Sequence, residues 1–171
     1  MGANGWGKAW LSVLPAIVLV SGCAVKRIEN GVYHSSKGYR VTTPSPQWGP
    51  VDDSPADLEL RHRSASAGMA ANAVCEARTT RHSSRILARQ LLVGVRDRSV
   101  IERGEVDVAG RPAVRAVVDG RLEGSQAKVR IETVVVKDDR CVYDFMYVAP
   151  VATFAATRPD FHRFVDSLRT E

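Results

Sequence analysis

The stretch VIERGEVDVAGRPAVRAVVDGRLEGSQAKVRIETVVVKDDRCVYDFMYV, Val100 to Val148, decides the fold. It contains four runs of alternating apolar and polar residues: Val100–Val108, Pro112–Leu122, Ala127–Lys137 and Cys141–Val148. A period of two is that of a strand with one face toward a core. Ala-Gly-Arg, Glu-Gly-Ser-Gln and Lys-Asp-Asp-Arg join the runs, and this chemistry suits turns between antiparallel neighbours. In the third run Val129, Ile131, Thr133 and Val135 share one face, with Arg130 and Glu132 opposite. In the fourth, Tyr143, Phe145 and Tyr147 alternate. One face of that strand must be buried, so a core stripe is preferred to an exposed platform for carbohydrate.

Upstream of the meander the periodicity changes. From about Ser83 to Val95 a helix is expected, capped by Ser83 or Ser84. At 100° per residue it gathers Ile86, Leu87, Leu91, Val93 and Val95 on an apolar arc. Arg81, Arg85, Arg89 and Arg96 fall on the other side, with Leu92 among them. Asp57–Arg63 alternates as a half-buried strand, and Gly68–Glu76, with no cap and a terminal cysteine, reads as a strand rather than a helix. Val32–His34 and Tyr39–Thr43, separated by Ser-Ser-Lys-Gly, form a hairpin. Pro44, Pro46 and Pro50 then break the ladder, with Trp48 as a plug over the core. A closing helix, Pro159–Leu168, aligns Phe161, Phe164, Val165 and Leu168 on one stripe. The order is hairpin, two strands, helix, meander, helix. It implies an α+β domain: an antiparallel sheet of about six to seven strands packed with the central and C-terminal helices.

In this order the chain resembles the PsbP-like family. The resemblance spans Tyr39 to Leu168. It rests on Tyr39-x-Val41 followed by Pro44 and Trp48, on the central amphipathic helix, on Tyr143-Asp144-Phe145-Met146-Tyr147-Val148-Ala149-Pro150, and on Phe161-x-x-Phe164-Val165-x-Ser167-Leu168. It implies an α+β sandwich and a non-catalytic accessory or assembly role. No photosynthetic signature accompanies it, and no family active-site residue carries over.

The N-terminus carries targeting information. Lys8 precedes an apolar stretch, Ala9 to Val20, followed by Val20-Ser21-Gly22-Cys23. This reads as a signal peptide over residues 1–22, too short to span a bilayer, which takes roughly 20 apolar residues. Val20-Ser21-Gly22-Cys23 resembles the lipobox of bacterial lipoproteins, which implies an acylated Cys23 as first mature residue. A linker over residues 23–30 leads into a domain over residues 31–171. Ala24, rather than Asp, resembles the signal for export to the outer membrane, which would place the domain on its periplasmic face in a Gram-negative host. Several acyl chains, at about 0.8 kcal/mol per buried methylene, make such an anchor effectively permanent.

Length and composition bound the remaining function classes. The 171 residues are 44% hydrophobic and 25% charged, as expected of one globular domain. Of 24 basic residues 19 are Arg, against 19 acids, so the basicity is mild and unclustered and nucleic acid is not an expected partner. In an exported compartment Cys75 and Cys141 are read as a disulfide in preference to two buried thiols. No second Cys or His stands at zinc-ligand spacing. His34, His62, His82 and His162 are widely separated and read as ordinary surface or edge residues. Asp52-Asp53 and Asp138-Asp139 read as solvent-facing loop and turn pairs. Neither a metal nor a cofactor is expected.

The arginine side of the central helix is the sharpest hint. Arg81, Arg85 and Arg89 can offer bidentate forks to anionic groups beside a membrane, although a solvated face is the simpler reading. The preferred function is a membrane-anchored accessory module that binds an envelope protein partner. The alternative is a carrier for a lipid or other small apolar ligand, with a pocket between helix and sheet lined by Ile86, Leu91 and the meander. A hydrolase comes last, because it needs Asp144, His162 and a serine to converge.

Overall fold

The computed structural model describes residues 28–171, so the expected signal segment, Cys23 and the linker up to residue 27 lie outside the described residues. Eleven strands and three helices follow in order: β1 (Ile28–Glu29), β2 (Val32–Ser35), β3 (Tyr39–Thr42), β4 (Trp48–Pro50), β5 (Leu58–His62), β6 (Gly68–Val74), α1 (Ala77–Thr80), α2 (Ser84–Gln90), β7 (Val95–Val108), β8 (Arg111–Leu122), β9 (Lys128–Lys137), β10 (Val142–Pro150), α3 (Phe154–Asp166) and β11 (Arg169–Thr170). They form a seven-stranded sheet, β4-β5-β6-β10-β9-β8-β7, and a four-stranded sheet, β1-β2-β3-β11. Every pairing is antiparallel. Ile28–Glu29, read from sequence as linker, pairs with β2.

The meander folds as its alternation predicts, with β7 to β10 hydrogen-bonded in succession. Its β10 faces one way with Tyr143, Phe145 and Tyr147, all buried, which makes them a core stripe. Over them lie Phe161, Phe164, Val165 and Leu168 from α3 and its end, and Tyr39 and Val41 from the small sheet. Tyr147 stacks on Phe161 at 5.4 Å, and Tyr39 meets Tyr143 edge-on at 5.6 Å. Burying each such ring contributes roughly 2–3 kcal/mol. On the opposite face α2 covers β8 and β9, where Leu87 and Ala88 meet Val135 and Val142, and Leu92 and Val95 meet Val118 and Ile131. The disulfide Cys75–Cys141 joins the end of β6 to the start of β10. Both sheets, the three helices and this bond fall within residues 28–171.

The structure corrects several expectations. With helices on both faces, β9 is buried from Ile131 to Val136, so Glu132 is 0% exposed rather than solvent-facing. The central helix stops at Gln90; Gly94, at φ 86°, turns the chain into β7 by Val95. Ile86 (46% exposed) and Val93 (81%) leave the apolar arc, and Leu92 enters the core. Strand β7 starts five residues earlier than Val100, because two register shifts, Arg96/Ser99 and Val100/Glu102, mask its alternation. Helix α3 begins at Phe154, not Pro159, and carries that proline internally. The prolines do not break the ladder throughout: Trp48–Pro50 pairs with β5 at the sheet edge, where a proline is tolerated. Trp48 is nevertheless the expected plug, with its indole donating to Asp160 at 2.7 Å.

Candidate functional site

Helix α2 covers β9 and β8 but leaves the edge strand β7 open on the same face. Between them runs a groove of about 610 Å³. Its floor is Val114 and Ala116 of β8 with Ala88 and Leu92 of the α2 segment, and its walls carry Arg85 and Arg89 on one side and Arg103, Gly104 and Glu105 on the other. The register explains the outer wall: Arg103 pairs with Ala116 and Glu105 with Val114, so both side chains share the face that α2 occupies. Ser83 fixes the helix start, its Oγ accepting from the Ile86 amide at 3.4 Å. Arg85 donates to Glu105 at 3.0 Å, a bridge from one wall to the other. Among the described residues Arg89 and Arg103 have no such partner.

Of the three arginines singled out in the sequence, Arg85 and Arg89 come together here. Arg81 does not; it ends the short helix α1 and lies outside the groove. Arg103 escaped the sequence reading, and the signal for it was the run Arg103-Gly104-Glu105 inside an otherwise apolar alternation. A pocket between helix and sheet was expected around Ile86 and Leu91, but the lining is Ala88 and Leu92, because α2 and the turn after it bury Leu87, Ala88 and Leu92 while Ile86 is exposed and Leu91 only half-buried.

A second polar cluster lies under α3. Glu132 accepts from Arg158 Nε at 2.7 Å and pairs with His162 Nε2 at 3.0 Å. Arg158 and Arg115 both donate to Glu102, at 3.1 and 3.0 Å. Burial alone would push the Glu132 carboxyl up; hydrogen bonds from His162 and Arg158 hold it below the usual carboxylate range. Arg158, one turn before His162, also lies over the Phe154 ring, 5.5 Å from its centroid. These contacts clamp α3 to the sheet, and His162 is part of the clamp rather than an ordinary surface histidine.

The hydrolase constellation does not form. Asp144 alternates with Tyr143 and Phe145 and so faces away from α3, whereas His162 lies on α3. Burial raises the Asp144 carboxyl to about 6, and its Oδ1 has no hydrogen-bond partner among the described residues. Asp138 is a turn anchor: its Oδ1 accepts from the Arg140 and Cys141 amides at 2.9 and 2.7 Å. Asp52, Asp53 and Asp139 are exposed. Among the described residues no three His, Cys, Asp or Glu side chains gather as a metal site, and no helix is long and apolar enough to cross a membrane.

No protein-family model matches the chain, and no curated protein matches it. Solved structures do. Cyanobacterial PsbP (CyanoP) from Synechocystis sp. PCC 6803 superposes with a TM-score of 0.59 at 14% identity, over 82% of this chain and 91% of that one. LpqN, involved in cell envelope biogenesis of Mycobacterium tuberculosis, gives 0.56 at 12% identity, over 81% and 88%. A Pseudomonas aeruginosa protein of unknown function gives 0.53 at 15% identity, over 72% and 81%. The α+β fold of this chain is the PsbP-like fold.

Proposed function

We propose that the chain is an exported accessory module, held at the cell envelope by lipid on Cys23, that binds a partner protein and catalyses no reaction. One observation carries the reading. The exposed large apolar side chains among the described residues, Ile86, Val93, Val100, Ile101 and Leu122, all lie on α2, the turn after it, the first half of β7 and the end of β8. Grouping of exposed apolar surface on one part of a molecule is a mark of an interaction surface. A fold shared with LpqN, an envelope biogenesis protein by name, supports the location.

Crosslinking of the lipidated protein in native membranes, followed by mass spectrometry, tests this function. A reproducible protein partner joined through residues around Val93, Val100 or Leu122 supports it. A lone chain carrying only lipid overturns partner binding in favour of a carrier. The anchor is checked separately: Cys23→Ala must move the protein out of the lipoprotein fraction, and an unchanged distribution removes the tether.

A further inference from the structure

We propose that the groove between α2 and β7 binds a single-chain anionic amphiphile, its head held between Arg89 and Arg103 and its alkyl chain lying over Leu92 toward Val100.

The head site follows from matched spacing on the two walls. Arg85 on α2 reaches Glu105 on β7 and forms an ion pair. Four residues along a helix advance about 6 Å, and two along a strand about 6.6 Å. One step along the helix from Arg85 is Arg89; one step back along β7 from Glu105 is Arg103. Both line the groove. The step that meets an acid at Glu105 therefore meets a second guanidinium at Arg103. Neither Arg89 nor Arg103 has a carboxylate partner among the described residues, so two planar forks share one groove. A phosphate or carboxylate is the group whose oxygens match that arrangement.

The chain site follows from what lies beside the head site. Ala116, in register with Arg103, and the buried Leu92 give an apolar floor one strand wide. Beyond them Val100 pairs with Val118, which packs on Leu92, and Val100 is 54% exposed. An alkyl chain leaving the head site along this floor would cover it. The groove volume lies within the range of about 300–1,000 Å³ typical of small-molecule sites.

The face that bears the groove is opposite the one that receives β1, where the described chain begins, since the small sheet packs with α3 on the other side of the large sheet. The alkyl-chain site shares Val100 with the apolar surface proposed above for a partner protein, so ligand and partner adjoin on this face.

Isothermal titration of the unlipidated mature chain, with Cys75–Cys141 intact, tests the assignment. The probes are dodecyl phosphate and dodecanoate below their micellar concentrations, dodecyl maltoside and inorganic phosphate. Both alkyl anions are expected to bind one per chain, and the neutral maltoside and inorganic phosphate at least tenfold more weakly. Arg89→Gln with Arg103→Gln should weaken dodecyl phosphate at least tenfold, Val100→Asp should weaken it too, and Arg81→Gln should leave it unchanged. These are exposed positions, and circular dichroism of each variant verifies folding. Equal binding of dodecyl maltoside overturns the anionic head, and equal binding of inorganic phosphate overturns the chain site. No binding of either alkyl anion, or full binding by the double variant, overturns the proposal outright. Failure here with a partner still captured by crosslinking leaves the accessory function standing.

Discussion

The Arg158 guanidinium of α3 and the Glu132 carboxylate of β9 meet at 2.7 Å, and Glu132 is wholly buried there. Removing one partner of a buried pair leaves the other uncompensated, at about 3–5 kcal/mol. Arg158 keeps Glu102 and some solvent, so Glu132→Gln is expected to cost about 3 kcal/mol at pH 7. The folded carboxyl is depressed, so its stabilisation is present above the unfolded value of about 4.3 and lost as pH falls through the folded one. Urea unfolding of both proteins at pH 7 and pH 3 should therefore show a gap that narrows in acid. A constant gap would mean that packing, not charge, is lost.

Asp144 gives the opposite sign. Its folded carboxyl is raised to about 6 by burial, against about 3.9 unfolded. Below pH 4 both states are protonated and the group is neutral to stability; above pH 6 the folded state carries a buried charge at a cost on the order of 2–3 kcal/mol. Asp144→Asn should stabilise the protein at pH 8 and change little at pH 3.5, read as shifts in thermal midpoint. A destabilised variant at pH 8 would show that the carboxylate has a stabilising partner.

Cys75 and Cys141 are 66 residues apart in sequence, and closing a loop of that length removes about 4 kcal/mol of unfolded-state entropy in the chain-entropy model. Mass spectrometry of the mature protein should show a gain of about two mass units on reduction. The reduced protein should unfold at lower denaturant, and an unchanged midpoint would make the bond energetically idle.

Gly120 on β8 has no room for a side chain. A Cβ there would stand 2.5 Å from Val95 Cγ1 and 2.9 Å from the Arg96 carbonyl. Gly120→Ala is expected to cost about 1–3 kcal/mol. Gly104→Ala on β7, where nothing lies within 4 Å, should cost little and serves as the control.

The features legible in the sequence are those that local alternation encodes. Tyr143, Phe145 and Tyr147 point one way whatever covers them, and the hairpin and meander follow from runs and turns alone. Glu132 was misplaced because alternation identifies two faces of β9 but not whether both are covered; that depends on α3, far along the chain. The closing helix was read from the stripe Phe161, Phe164, Val165 and Leu168, which leaves the five residues before Pro159 unmarked, yet α3 begins at Phe154 and carries Pro159 internally. Arg85 and Arg89 were visible as one helix face, but Arg103 joins them through strand register, which two bulges conceal.

Strand β7 ends the large sheet, and a 14-residue edge is an invitation to another molecule's backbone. Its two register shifts, Asp97 at φ 52° and the guanidiniums of Arg96, Arg98 and Arg103 interrupt that template. A second copy approaching edge to edge would meet broken rungs and like charge. The same irregularity that conceals the groove in the sequence makes this edge a poor template for the backbone of a second copy.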